Sequence, residues 1–398
     1  MEIKEQKEKI KEYTLVFTGG HHTPALAVIS ALEKLCPKEI KLKFVWFGHR
    51  YSMWGDKNDS AEFLEVTARK IRFFDLRAGK SYRTLNPAKL WRHPLGFWQA
   101  WQYLRQVKPN LIVSFGGYLA VPTVIVGRVS GIPAVTHEQT TAPGLANRLL
   151  GRLATKVYVS WPGTESYFPP RKVIFTGLPL RPEIKEVRDK EPERLRSKVS
   201  PKLWQFVKNA GEFNLPLIYV TGGKQGAHAI NLLLRESLDR LTKVAAVVHQ
   251  CGSTSVTNDL VELSKITNTR YLLSDYFSAY DNFYLLRESA LVVARSGANT
   301  VAELATLGTP AMLIPLPSSS NNEQLKNADL LAQLGLVEVV AEKDLNSQLF
   351  VNQTVQMLGR VDEYKEKYQA QVPLWLKDDA AETVAREILA ALALVAEF

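Results

Sequence analysis

Three short stretches of this chain hold groups that could move a proton or cradle an anion. His21 and His22 follow Gly19-Gly20 directly after an apolar run, and an imidazole at a strand end can accept a proton from a hydroxyl near neutral pH. The same place also suits a residue that only caps the helix beginning near Pro24. Glu138 sits in His137-Glu138-Gln139-Thr140, with Asn147 shortly after it, where a carboxylate can act as a base, bind sugar hydroxyls or brace a loop. In the third stretch, residues 295–317, the small-residue turn Ser296-Gly297-Ala298 opens a helical pattern with Glu303 one turn in. Such a turn aims unbonded backbone N–H groups and the positive end of a helix dipole at an anion, which marks a candidate nucleotide site.

The elements that position these groups alternate between strand and helix. Apolar runs at 14–17, 42–47, 111–114, 134–137, 156–160 and 173–176 read as strands, with helical periodicity at 24–36. A break at 177–182 is followed by a mixed-charge stretch, 183–202, that reads as helical and exposed. Strand patterns resume at 217–221, 244–250, 271–273, 291–294, 311–315 and 337–340. Each half has its own strand, glycine-rich turn and helix, so the predicted fold class is α/β, with two Rossmann-like parallel-sheet domains facing a cleft. The predicted domains are 1–180, 181–378, and an amphipathic C-terminal helix at 379–398 that packs back on the first.

Composition narrows the function. A chain of 398 residues with 46% apolar and 23% charged residues is an ordinary two-domain globular protein. Cys36 and Cys251 stand alone, which argues against a disulfide framework or a structural zinc site. The charged N-terminal lead-in lacks the apolar core of a secretory signal, and the apolar region 111–135 is interrupted by Gly116-Gly117, Pro122 and Arg128. Neither TGGHHTPALA nor TGGKQGA is a GxGxxG or Walker A motif, which disfavours dehydrogenases and P-loop enzymes. Gly116-Gly117-Tyr118 lets backbone approach a ligand closely.

The net charge of +10 is uneven, since residues 72–108 hold eight Lys or Arg against one acid. Lys80, Arg83, Lys89 and Arg92 are interleaved there with Trp91, Phe97, Trp98 and Trp101. Three readings fit: docking on an anionic membrane surface, a solvated helix whose aromatics are core, or nucleic-acid binding. No RRM, KH or zinc-finger pattern supports the last.

The motifs TGGHHTPALA, SFGGYLAVP, GIPAVTHEQ with PGLANR, GLPLR, TGGKQGA, and RSGANTVAEL with EQLKNA occur in that order from residue 18 to residue 328. In this order and spacing the chain resembles the MurG-type, lipid-linked muramoyl-pentapeptide N-acetylglucosaminyltransferases of peptidoglycan synthesis, in glycosyltransferase family 28. The resemblance implies a GT-B fold and inverting transfer of N-acetylglucosamine from UDP-N-acetylglucosamine to the 4-hydroxyl of undecaprenyl-diphosphate-linked N-acetylmuramoyl pentapeptide. It also implies no cofactor or metal beyond that donor, no nucleic-acid partner, and a peripheral place on the anionic cytoplasmic face of the inner membrane, among other cell-wall synthesis proteins.

By the same resemblance, His21 and Glu138 are the candidates for the base. Gly19, Gly20, Thr23, Gly116, Gly117, Tyr118, His137 and Asn147 fall on the acceptor side. Ser296, Gly297, Ala298, Asn299 and Thr300 match the diphosphate turn, Glu303 the ribose-binding glutamate, Phe277 the uracil position and Gln324 a glutamine on the sugar hydroxyls. Arg181, Gly223, Lys224 and Gln225 also lie in donor-side motifs. The chain departs from the pattern at Val16-Phe17, where glycines are usual, and at Thr140, Leu178 and Lys224. Lys224, in place of a usual serine, could reach the diphosphate or intrude on the donor sugar. The alternatives are a UDP-sugar transferase with another lipid acceptor, or a catalytically silent, membrane-docked UDP-sugar-binding module.

Overall fold

Uninterrupted apolar runs such as LIVS at Leu111–Ser114 and LVVA at Leu291–Ala294 are what strands covered on both faces require, and both are fully buried. The computed structural model describes residues 10–51, 59–78, 92–252, 254, 257–371 and 375–395. The chain divides into two units, Met1–Arg181 with Asp379–Phe398, and Pro182–Asp378.

The first unit carries β1 Lys11–Thr18, β2 Ile40–Gly48, β3 Arg72–Asp75, β4 Leu111–Ser114, β5 Ala134–Glu138, β6 Lys156–Val159 and β7 Val173–Phe175. They form one sheet in the order β3-β2-β1-β4-β5-β6-β7, and each ladder is parallel. The C-terminal helix Ala380–Val395 returns to this unit. Its Val384, Ala385, Ile388 and Leu392 share a core with Leu15, Phe17 and the helix His22–Leu35. The second unit carries β8 Leu217–Thr221, β9 Ala246–Gln250, β10 Tyr271–Ser274, β11 Leu291–Ala294, β12 Ala311–Leu313 and β13 Val337–Val339. Their order is β10-β9-β8-β11-β12-β13, again all parallel.

Strand order reverses direction between β1 and β4 in the first sheet and between β8 and β11 in the second. A parallel sheet leaves a crevice beyond the carboxyl ends of its strands at such a point, so the loops after β1, β4, β8 and β11 are the ones placed to hold ligands.

Two expectations change here. β3 was not anticipated, because its RFFD sequence lies inside the basic aromatic segment. Phe74 packs edge-on to Phe47 at 5.2 Å and lies 4.9 Å from Tyr103, and Phe73 meets Phe63 at 5.0 Å, so these rings serve the core. The stretch 183–202 is also less exposed than its charge suggests, since Ile184, Val187, Leu195 and Val199 are buried. Lys80, Arg83, Lys89 and Trp91 lie outside the described residues.

Candidate functional site

In the first unit the polar groups gather on the loops after β1, β4 and β5. Gly20 N–H donates to Gly116 O at 3.1 Å, tying the His21 loop to the Gly116-Gly117 loop. Gly116 has φ +71°, and a Cβ there would lie 2.5 Å from Asn147 Nδ2, so only glycine lets the two loops and Asn147 meet. Val16 and Phe17 do not disturb this turn. They are buried inside β1, where Phe17 stacks between Trp46 and Phe115, and the turn begins after them.

His21 and Glu138 have opposite environments. His21 ends the approach to the helix His22–Leu35 without a side-chain capping bond, and the residue as a whole is exposed. Surrounding protein, and then the neighbouring His22, push its pKa down to about 4. The imidazole is therefore neutral at pH 7 and able to take a proton.

Glu138 is 1% exposed and saturated with donors. Thr140 N–H and Thr140 Oγ1 each donate to its Oε1 at 2.8 Å, and Asn147 Nδ2 donates to Oε2 at 2.5 Å. Burial raises its pKa, and these bonds oppose the rise. Asn147 Oδ1 in turn accepts from Gly117 N–H at 2.8 Å, so Glu138 fixes Asn147 and Asn147 fixes the glycine loop. Thr140 keeps this carboxylate bonded twice. We expect Asn147→Ala to lower unfolding stability by about 1–3 kcal/mol, because it strips a donor from a buried carboxylate. Chemical denaturation checks this, and an unchanged midpoint would contradict it.

His137 is 1% exposed. Its Nε2 lies 3.4 Å from Gly177 O, and its ring packs on Phe115 at 5.4 Å. Burial pushes its pKa down to about 4. Thr23 and Tyr118 are half-buried. Arg181 is ion-paired to Glu65 of the helix Ala61–Ala68, and Glu65 Oε1 lies 3.5 Å from His22 Nε2. Sequence reasoning passed over Glu65, which sits within an ordinary amphipathic helix.

In the second unit, Gly297 is the N-cap of the helix Ala298–Leu307 and offers no side-chain bond to the first-turn N–H groups. The first-turn amides of this helix include those of Ala298, Asn299 and Thr300, the residues expected from the sequence motif to face an anion. Ser296 is fully buried, and its hydroxyl donates to Gln324 O at 2.7 Å, so it shapes the turn rather than presenting its side chain. Gln324 Oε1 accepts from Leu316 N–H at 2.9 Å. Arg295 Nη1 donates to Ile314 O at 3.0 Å, and Arg295 pairs with Glu342, pinning the turn to the end of β12.

Thr221 pairs with Ala294, so the Gly223-Lys224-Gln225 turn leaves the sheet beside the Ser296-Gly297 turn. Gly226 has φ +83°, and a Cβ there would sit 2.0 Å from Cys251 O. Gln250, missed in the sequence, links three loops. Its Oε1 accepts from Phe277 N–H at 3.1 Å, and its Nε2 donates to Thr221 Oγ1 at 3.3 Å, while Gly223 N–H donates to the same Thr221 Oγ1 at 3.0 Å. The strand-end rule that picked out Glu138 at the end of β5 applies equally to Gln250 at the end of β9. Glu303 is half-buried on the helix behind the cradle.

Comparison with known proteins agrees with this two-part layout. Residues 16–159 match the glycosyltransferase family 28 N-terminal domain, and residues 217–384 match the glycosyltransferase family 28 C-terminal domain. The chain is 30% identical over 346 residues to a UDP-N-acetylglucosamine-N-acetylmuramyl-(pentapeptide) pyrophosphoryl-undecaprenol N-acetylglucosamine transferase of Treponema denticola, covering 84% of each chain. It is 28% identical over 371 residues to the protein of the same name from Clostridium novyi, covering 90% of this chain and 92% of that one. Among solved structures, MurG of Acinetobacter baumannii superposes with a TM-score of 0.65 at 23% identity, over 96% of this chain and 99% of that one. A UDP-GlcNAc 2-epimerase of Neisseria meningitidis, solved with UDP-GlcNAc, superposes with a TM-score of 0.66 at 17% identity, over 95% and 100%. At these identities the superpositions show a shared fold alone.

Proposed function

The chain belongs to glycosyltransferase family 28, and from that premise we propose that it is an inverting, UDP-N-acetylglucosamine-dependent hexosyltransferase of peptidoglycan synthesis with the GT-B fold. Its acceptor is the undecaprenyl-diphosphate-linked N-acetylmuramoyl pentapeptide, and its product is lipid II. The observation that carries this reading is that the similarity to the Treponema denticola transferase runs through both units, 84% of either chain. This supports a protein that carries both the acceptor-side and the donor-side halves of such an enzyme.

The geometry supports a division of labour. His21, neutral at pH 7, takes the proton of the acceptor 4-hydroxyl as that oxygen attacks the anomeric carbon. The bond from that carbon to the β-phosphate oxygen breaks on the opposite face, which inverts the configuration, and its electron pair leaves with UDP. First-turn amides of the helix Ala298–Leu307 receive the departing charge. Glu138 is a positioning residue, since a carboxylate already holding Thr140 and Asn147 is not directed at a substrate hydroxyl. No cofactor or metal enters these steps.

The acceptor is a lipid, and a suitable surface exists on the helix Arg92–Val107. Leu95, Trp98 and Trp101 are 39%, 53% and 43% exposed at three-residue spacing, and the Arg105 guanidinium lies 4.7 Å over the Trp101 ring. Phe97 is half-buried. Among the described residues no helix is long and apolar enough to cross a membrane. This face would dock on anionic lipid at the cytoplasmic side of the inner membrane. Replacing Trp98 and Trp101 together by alanine should weaken sedimentation with phosphatidylglycerol vesicles by about tenfold or more. Undiminished binding would remove this helix from the docking surface.

The function itself is tested by UDP release from UDP-N-acetylglucosamine with and without the lipid-linked muramoyl-pentapeptide. Release should require that acceptor, and release with a diacylglycerol instead would point to another lipid transferase.

A further inference from the structure

The helix Ala61–Ala68 is fixed against its neighbours at both ends. Ser60 Oγ accepts from Phe63 N–H at 3.1 Å and donates to His49 O at 3.1 Å, which ties the first turn to the chain leaving β2. Trp46 Nε1 donates to Glu62 Oε1 at 2.6 Å. Arg69, directly after the last turn, donates from Nη1 to Leu26 O at 3.2 Å and to Ser30 Oγ at 2.7 Å on the helix His22–Leu35. Glu65, one turn on from Glu62, meets two basic groups that arrive from different parts of the sheet. Its Oε2 pairs with Arg181, and its Oε1 lies 3.5 Å from His22 Nε2. All three side chains are largely covered, with 22% of Glu65 and 14% each of Arg181 and His22 exposed. Arg181 ends the segment that leaves β7 at one edge of the sheet. That segment passes His137 of β5, where Gly177 O lies 3.4 Å from His137 Nε2, and reaches the β1–β2 side at Glu65.

We propose that Glu65 is a positioning residue for the proton transfer, holding the His21-His22 turn with one carboxylate oxygen and the segment ending at Arg181 with the other. This rests on the reading of His21 as the base. His21 is the N-cap of the helix His22–Leu35 but makes no side-chain capping bond, and that helix has no acidic residue in its own first turn. Glu65 brings a carboxylate to the turn from a neighbouring helix, at the end where negative charge is favourable. A base works only within hydrogen-bond reach of the proton it removes, and a displacement of about 1 Å costs about 10²-fold. Glu65 ties the backbone that carries His21 on its helix side, through His22, and the bond from Gly20 N–H to Gly116 O ties it on the other. Glu65 also offsets the positive charge of Arg181 close to a turn whose imidazole becomes a cation on taking the proton.

The experiment places Glu65→Ala and Glu65→Gln in the full-length protein, alone and combined with His21→Ala. Steady-state turnover with UDP-N-acetylglucosamine and the lipid-linked muramoyl-pentapeptide reads kcat and both KM values, and thermal melting followed by circular dichroism reads the fold. Glu65→Ala should lower kcat by about 10- to 100-fold, with donor KM within about twofold of wild type. Glu65→Gln keeps the shape of the side chain without its charge, so it should fall between wild type and the alanine variant, and it supplies the same cycle if the alanine variant does not fold. The deciding comparison is the double variant. A residue that acts by placing His21 has nothing left to place once the imidazole is gone, so Glu65→Ala with His21→Ala should turn over within about threefold of His21→Ala alone. Losses that multiply, or a folded Glu65→Ala variant with wild-type kcat, would overturn the inference while leaving His21 as the base. A His21→Ala variant with wild-type turnover would overturn the reading of the base itself.

Discussion

Replacing His21 by alanine is expected to lower turnover by about 10²- to 10⁴-fold, the range for loss of a general base, while UDP binding stays unchanged. The selectivity follows from the fold. His21 belongs to the loop after β1, whereas the proposed nucleotide site belongs to the helix after β11, in a separately packed core. His21 makes no capping bond to its helix, so the substitution removes chemistry with little structure. The acid limb of the wild-type profile gives a second reading. Only neutral imidazole accepts the proton, and the pKa of His21 is pushed below its ordinary value to about 4, so activity should persist as pH falls through 6 and fail only near the lowered pKa. The limb should be absent from the residual activity of His21→Ala. Glu138→Gln makes the contrast. Its effect should follow the stability of the Gly116-Gly117 loop, with the pH profile of the remaining activity still set by His21. If Glu138→Gln abolishes the acid limb and His21→Ala preserves it, the assignment is reversed.

The second large effect concerns Glu303. Glu303→Ala should weaken UDP and UDP-N-acetylglucosamine by about 10- to 100-fold, the usual cost of losing a charged hydrogen bond to a ligand hydroxyl. Glu303 lies in the helix Ala298–Leu307, whose first-turn amides are the proposed diphosphate site, so it is carried at a fixed separation from them. A ribose-binding role has a specific signature in a double-mutant cycle. Wild type should lose comparable affinity when the donor ribose lacks the bonded hydroxyl, and Glu303→Ala should be indifferent to that deletion. Additive losses would mean that Glu303 supports the helix instead of touching the ribose.

The strands and their order of appearance were legible because parallel strands buried on both faces are written as continuous apolar runs. LIVS, LIYVT and LVVA coincide with β4, β8 and β11 as observed. β3 was not legible, since a four-residue edge strand with Arg72 and Asp75 at its ends carries little apolar signal. The exposure of Trp98 and Trp101, against the burial of Ala100 and Leu104 on the same helix, follows from a helical face that composition alone does not resolve. The strand-end loops were legible through their glycines, because a positive φ or a close approach demands them. Side chains that act through hydrogen bonds between loops left no such trace. Gln250 joins the ends of β8 and β10, and Glu65 joins His22 to Arg181, only because strand order brings distant residues together. The departures at Val16-Phe17 and Thr140 looked more serious in sequence than in space. The first pair fills a strand core, and Thr140 donates twice to Glu138.

The central claim is the transfer itself, and the most direct measurement is the product. Purified protein, UDP-N-acetylglucosamine and a lipid-linked muramoyl-pentapeptide are incubated together, and the glycan is read by NMR for its anomeric configuration and linkage. The account predicts a β-linked N-acetylglucosamine on the 4-oxygen of the muramoyl residue, with one UDP released per linkage. An α-linkage, or a donor converted to its 2-epimer with no glycan formed, would contradict it.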